Sequence, residues 1–219
     1  MNLLYIFDWD GTLSDSTGTI VTAMQRAAED LGWQRPERDA VRNIIGLGLP
    51  EALQVLYPGI EAPTAERLRA LYSEHFLAID QAEPAQFYPQ VMESLESLRG
   101  DGHQLAVATG KSRRGLDRVF QRLGLEGYFH ASRCADETAS KPDPRMLHEL
   151  LEHFSVPANQ AVMVGDTEYD MEMARRANMP RIAVSYGAHE AVRLHPYEPA
   201  LCMDCFSEIL QWQLTPQSV

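Results

Sequence analysis

Lysine is almost missing from this chain. Of nineteen basic residues only Lys111 and Lys141 are lysines, so any chemistry that needs a primary amine has two candidates. Cysteine is scarce too. Cys134, Cys202 and Cys205 are an odd number in a chain too long to need disulfide staples, which excludes a disulfide scaffold and predicts a reducing compartment. No segment approaches the ~20 consecutive apolar residues of a membrane span, and the start of the chain carries no basic leader, so a cytoplasmic protein with no membrane partner is expected. Positive charge is in deficit. Thirty-one Asp and Glu give a net charge of −12, which repels phosphate backbones and argues against a nucleic-acid partner. With 45% hydrophobic and 23% charged residues, disorder is excluded. The 219 residues suit one α/β core carrying an extra piece, as a monomer or homodimer.

What is present is a recurrent pattern. Leu3–Phe7 is a short continuous apolar run that ends in Asp8-Trp9-Asp10-Gly11, as a buried strand feeding a polar loop would. The pattern returns at Leu105–Ala108 before Thr109-Gly110, at Ala161–Val164 before Gly165-Asp166, and at Ile182–Val184 before Ser185. Helical patterns lie between these runs, at Val91, Leu95 and Leu98, at Leu116, Val119 and Leu123, and at Met146, Leu147 and Leu150. Alternating strands and helices predict an α/β fold, a Rossmann-like doubly wound parallel sheet with helices on both faces. One interval breaks the alternation. From Ser16 to Pro84 no buried-strand run occurs, and Ile20, Met24, Ala27 and Leu31, then Leu68, Leu71, Phe76 and Ile79, mark helical faces. Gly and Pro divide this interval into about four helices. The expected organisation is a discontinuous core, 1–15 and 85–219, with an all-α insert over 16–84.

Ligands of doubly wound sheets bind outside the carboxyl ends of the strands. Asp8, Asp10, Thr109 and Asp166 all fall there, with Lys141 shortly before the run that ends at Asp166. Three carboxylates, a hydroxyl and an amine make a site for a hard divalent cation and an anionic substrate. In order and spacing, Asp8-Trp9-Asp10-Gly11-Thr12-Leu13, Thr109, Lys141 and Gly165-Asp166-Thr167-Glu168-Tyr169-Asp170 resemble the four motifs of the haloacid dehalogenase superfamily. The resemblance spans nearly the whole chain. The helical insert resembles that superfamily's α-helical cap and points toward the phosphoglycolate phosphatase-like members.

The resemblance implies a Mg²⁺-dependent phosphatase acting on a small phosphorylated metabolite such as phosphoglycolate or a sugar phosphate. Asp8 is then the nucleophile that forms an aspartyl-phosphate, and Asp10 protonates the leaving alcohol and later activates water. Mg²⁺ is expected at Asp8, Asp166 and the main-chain carbonyl of Asp10. Lys141 and Thr109 face the phosphoryl group, with N–H groups of Trp9, Gly11 and Gly110. Asp170 is expected behind the metal ligands, orienting a bound water or Lys141. Arg42 and Gly46, in and before the Gly-rich segment Ile45–Pro50, are candidate substrate contacts on the cap. Lys111 is a candidate to replace the asparagine that many members carry where this chain has Gly110. Arg113 and Arg114 are further candidates to attract an anion.

Several competing readings fall away. Thr109-Gly110-Lys111-Ser112 ends like a nucleotide-triphosphate loop, but Leu105 stands where its first glycine must be. Cys202-x-x-Cys205 has no second pair, and reads as a last strand entering a helix. His189 and His195 are assigned no role. The 16–84 interval contains no lysine, so phosphonate-cleaving Schiff-base chemistry lacks its amine. A phosphomutase remains an alternative, although Thr17–Ile20 lack the histidine that mutases of this class carry in the first cap helix. A phosphate-binding regulatory module is the third.

Overall fold

The computed structural model describes residues 2–213. Six strands form one parallel sheet in the order β3-β2-β1-β4-β5-β6: β1 (Leu4–Phe7), β2 (Gln104–Thr109), β3 (Ala131–Cys134), β4 (Ala161–Gly165), β5 (Arg181–Val184) and β6 (Leu201–Met203). β1 is central because all four of its residues are apolar and both its faces are covered. Tyr5 and Phe7 join a cluster with Leu95 and Leu98 of α5 (Val91–Gly100) and Leu116 and Val119 of α6 (Arg113–Leu123). Leu4 and Ile6 point the other way, toward Leu147 and Leu150 of α7 (Arg145–Phe154) and Met173 and Ala174 of α8 (Glu168–Arg176). This period-two division of a continuous apolar strand places helices on both faces, as the sequence implies.

β3 is absent from the sequence reading. Its residues Ala-Ser-Arg-Cys are mostly half-exposed at the sheet edge, so it carries no buried apolar run to detect.

Between β1 and α5 stand α1 (Thr17–Asp30), α2 (Arg38–Arg42), α3 (Leu49–Leu56) and α4 (Ala62–Ala82). They share an apolar cluster that includes Ile20, Met24, Val41, Leu53 and Leu68, and among buried members only Ala188 comes from outside the four helices and their connections. The chain leaves and returns at one place, since the Asp15 N–H donates to the Gln86 carbonyl (2.8 Å) and the Tyr88 N–H to the Leu13 carbonyl (3.0 Å). Among the described residues no helix is long and apolar enough to cross a membrane.

Candidate active site

Register gathers the functional strand ends. Phe7 lies beside both Val107 and Val164, so Asp8, Thr109 and Asp166 emerge at one edge of the sheet, where the strand order reverses between β1 and β4. After Asp8 the chain turns sharply. The Ser14 N–H donates to the Trp9 carbonyl (2.9 Å), the Gly11 N–H to the Ser14 carbonyl (2.9 Å), and Gly11 takes φ +91°, where a Cβ would strike the Asp166 carboxylate. This corrects one expectation, because the Gly11 N–H is spent inside the turn and has none left for a phosphoryl oxygen. Trp9 buries its side chain among Phe87, Phe120 and Phe129, leaving only its main chain at the site.

Asp8, Asp166 and Asp170 are all buried, and a carboxylate oxygen of each lies within 4.8 Å of the others. Lys141, itself buried, binds Asp8 Oδ1 and lies 2.6 Å from Asp170 Oδ1. Asp166 accepts from the Thr12 hydroxyl and the Ala188 N–H, each at 2.7 Å. Asp170 closes a capping box at the start of α8: its Oδ2 accepts from the Thr167 hydroxyl (2.6 Å), and its own N–H donates back to Thr167. A group expected behind the others therefore stands level with Asp8 and Asp166 while also holding Lys141.

The electrostatics are unbalanced. Burial raises Asp8 well above the ordinary carboxylate range despite Lys141, with Asp170 and Asp166 pushing the same way. Asp166 is pushed up to about 7, by burial first and then by Asp170. Burial works to lower Lys141, but Asp170 and Asp8 outweigh it and hold the ammonium above its usual value. Three carboxylates face one ammonium, and Asp8 Oδ2 is buried without a hydrogen-bond partner. Oxygen donors only, excess negative charge and an orphaned oxygen together fit a hard cation such as Mg²⁺.

Asp10 is oriented differently. Its Oδ1 accepts from Ser16 (2.6 Å) and from the Lys111 ammonium (2.9 Å), so its side chain stands outside the acid cluster. Lys111 also sits 4.8 Å from the ring centre of Phe76 on α4. Thr109 is buried, and its Oγ1 accepts from the Lys111 N–H, which leaves the hydroxyl proton to donate elsewhere. Asp8, Asp10, Thr109, Gly110 and Lys111 all line a cavity of about 620 Å³ between the sheet edge and the helical insert.

The segment Gly46–Leu47–Gly48 closes directly over this edge. A Cβ on Gly110 would lie 2.6 Å from the Gly46 carbonyl oxygen, and one on Gly46, at φ +99°, would lie 3.0 Å from the Thr167 hydroxyl oxygen. Ser140 accepts from the Gly48 N–H at 2.8 Å. Gly110 thus provides the space into which the insert's main chain fits.

Arg42, expected beside the substrate, is elsewhere. Its guanidinium donates to the Gly187 carbonyl (2.8 Å) and ties the insert to the sheet outside the cavity. Asn43 extends the tie, accepting from the Tyr169 hydroxyl and from Arg193, each at 2.8 Å. Arg113 is also engaged away from the cavity, with Glu137 (2.8 Å) and Asp117 (3.1 Å), whereas Arg114 does line it. Sequence reasoning missed the hydroxyls of Thr12 and Ser16: Ser16 lies six residues from Asp10, the aspartate it serves, whereas Thr12 serves Asp166 from the far side of the sequence. It also missed His189. This buried ring accepts the Glu168 N–H at Nδ1 (3.2 Å), so its proton sits on Nε2, 3.3 Å from the Asn43 carbonyl. Its place after β5, at the edge where strands end, was the available signal.

The profile of the haloacid dehalogenase-like hydrolases matches residues 5–184. The chain is 37% identical over 216 residues to a protein of Dickeya dadantii strain 3937 named "Probable phosphatase IndB", covering 96% of this chain and 93% of that one. It is 30% identical over 213 residues to a phosphoglycolate phosphatase of Colwellia psychrerythraea, with 94% of each chain covered. A solved hydrolase from Pseudomonas syringae superposes with a TM-score of 0.86 at 22% identity, covering 96% and 97% of the two chains. The match takes in Asp8, Asp10, Thr109, Lys141, Asp166 and Asp170, and so the chain belongs to the haloacid dehalogenase-like hydrolases.

Proposed function

We propose that this hydrolase is a Mg²⁺-dependent phosphatase of small phosphorylated metabolites and works through an aspartyl-phosphate on Asp8. The observation that carries the reading is the buried Asp8 carboxylate itself. One oxygen is held by Lys141, and the other lacks a hydrogen-bond partner at a cavity to which Asp8 contributes. That orphaned Oδ2 is the electron pair that attacks phosphorus, splitting one hard displacement into two easier ones. The P–O bond to the alcohol breaks as the Asp8–phosphorus bond forms. Asp10 delivers a proton to the leaving oxygen, then takes one from the water that hydrolyses the aspartyl-phosphate. Ser16 and Lys111, both on Asp10 Oδ1, leave its second oxygen for this transfer. Lys141, the Thr109 hydroxyl and the N–H groups of Trp9 and Gly110 are the donors for the phosphoryl oxygens.

Asp8, Asp166, Asp170 and the main-chain carbonyl of Asp10 would hold Mg²⁺, which when bound offsets the negative charge shared by nucleophile and phosphoryl group. The core, 1–15 and 85–219, carries these groups. The segment 16–84 is the cap that covers them and excludes water from the site. α1 presents Ile20 and Met24 to the cavity and no histidine, which favours hydrolysis over phosphoryl return to a sugar. Phosphoglycolate and sugar phosphates are the first substrates to assay, given the relatives named above.

Phosphate release from p-nitrophenyl phosphate provides the test. Asp8→Asn is expected to lose about 10⁴-fold or more in kcat, and a chelator is expected to abolish turnover until Mg²⁺ is returned. Turnover retained in Asp8→Asn would refute the nucleophile.

A further inference from the structure

The cavity is larger than the smallest phosphomonoesters need. Its volume is about 620 Å³. Even at the ~30 Å³ that liquid water allots to each non-hydrogen atom, phosphoglycolate, with two carbons, six oxygens and one phosphorus, fills ~270 Å³. More than half the space is left for a bulkier leaving group, within the range of pockets that hold drug-sized molecules.

The walls add two further kinds of chemistry to that of Asp8. One is apolar, with Ile20 and Met24 from α1 and with Tyr72 and Phe76 from α4, whose ring centres are 6.0 Å apart and whose Phe76 ring carries the Lys111 ammonium at 4.8 Å. The other is positive and comes from α6. Among that helix's arginines, Arg113 is engaged by Asp117 and Glu137, and Arg122 by Asp80. The two that line the cavity are Arg114 and Arg118, and neither has an acidic partner among the described residues. Like charges four residues apart on a helix work against it, and ~6 Å of helix rise separates them. None of the nearby acids pairs with them among the described residues: Asp80 is taken by Arg122, Glu66 by Arg69 and Asp117 by Arg113, Asp136 accepts the Arg113 main-chain N–H, and Glu51 and Glu126 stand in the same surroundings without an ion pair to either arginine. Two guanidiniums without an acidic partner among the described residues, exposed at Arg114 and half-buried at Arg118, border the cavity and suit a carboxylate or second phosphate.

We infer that the substrate is a phosphomonoester whose leaving alcohol carries an apolar body of about one ring and, at its far end, a negative group. The phosphoryl group sits at Asp8, the body against Tyr72 and Phe76, and the anionic end at Arg114 and Arg118. This rests on the phosphatase reading above and narrows it to one class of ester.

The probes are phosphoglycolate, benzyl phosphate and 4-carboxybenzyl phosphate, with inorganic phosphate release as the readout. The two benzyl esters share the same kind of leaving alcohol and differ in remote charge. 4-Carboxybenzyl phosphate is expected to have the highest kcat/KM, about tenfold above phosphoglycolate. Arg118→Met is expected to close most of the gap between the two benzyl esters, and Phe76→Ala to raise KM for both. Two results would overturn this inference while leaving the phosphatase reading intact: phosphoglycolate as the best of the three, or a benzyl gap that survives Arg114→Met and Arg118→Met together. If none of the three esters releases phosphate in an Asp8-dependent way, the phosphatase reading fails and this inference with it.

Discussion

Ser16 shows at one residue how this site takes precedence over local stability. It is the N-cap of α1, a position where a serine hydroxyl ordinarily accepts a helix N–H and contributes about 1 kcal/mol. Here no such bond forms, and the hydroxyl donates to Asp10 at 2.6 Å instead. Gly110 makes the complementary case, in which a side chain is excluded. Because the Gly46 and Leu47 carbonyls occupy the volume a Cβ would need, Gly110→Ala should push the Gly46–Gly48 segment off the sheet edge. The expected cost is about 1–3 kcal/mol together with a raised KM, read by chemical denaturation and steady-state kinetics. An unaltered KM and denaturation midpoint would show that the segment does not bear on position 110.

At the scale of elements, the helical insert is tied to the core at separated places besides the Gly48–Ser140 hydrogen bond. Arg42 and Asn43 hold one end to Gly187, Tyr169 and Arg193. Asp80 near the end of α4 holds the other, through its ion pair with Arg122 on α6. Asp80 is buried, so removing its partner strands a charge away from water. Arg122→Ala should therefore destabilise the protein by about 2–4 kcal/mol, and adding Asp80→Asn should recover part of that loss. A double-mutant cycle by denaturation measures it; independent, additive losses would mean that the pair does not couple α4 to α6.

For the whole molecule, charge at the active edge makes stability depend on pH and metal together. Asp166 titrates at about 7 in the fold because of burial and then Asp170, but near pH 4 once unfolded. Between these values the folded chain holds the extra proton, so the metal-free protein loses stability as pH rises from about 4 through 7. A bound cation acts oppositely by favouring the ionised carboxylates. Metal-free Asp166→Asn should accordingly melt above metal-free wild type at pH 8, with the difference shrinking toward pH 4.5. Mg²⁺ should raise the Tm of wild type more at pH 8 than at pH 5. For a chain of this size each kcal/mol corresponds to ~2–4 °C. A difference between the two proteins that is the same at pH 4.5 and pH 8 would exclude proton uptake at Asp166.

Periodicity and strand-end chemistry alone determined the alternating α/β order, the helical interval from 16 to 84, and the places of Asp8, Asp10, Thr109, Lys141 and Asp166. These were legible because a strand buried on both faces must be continuously apolar, and a site at its end must then begin abruptly with polar residues. β3 was not legible, because a half-exposed edge strand carries no such contrast. Nor were three relations across long stretches of chain: Asp170 standing level with Asp8 and Asp166, Arg42 turned to Gly187, and His189 beneath Asn43. A motif names the type of side chain at a position. Which oxygen faces which ammonium, and how much room the insert leaves above them, are decided only when the sheet register and the packing of α1 and α4 bring distant residues within hydrogen-bond range. Burial then makes every unmatched charge count.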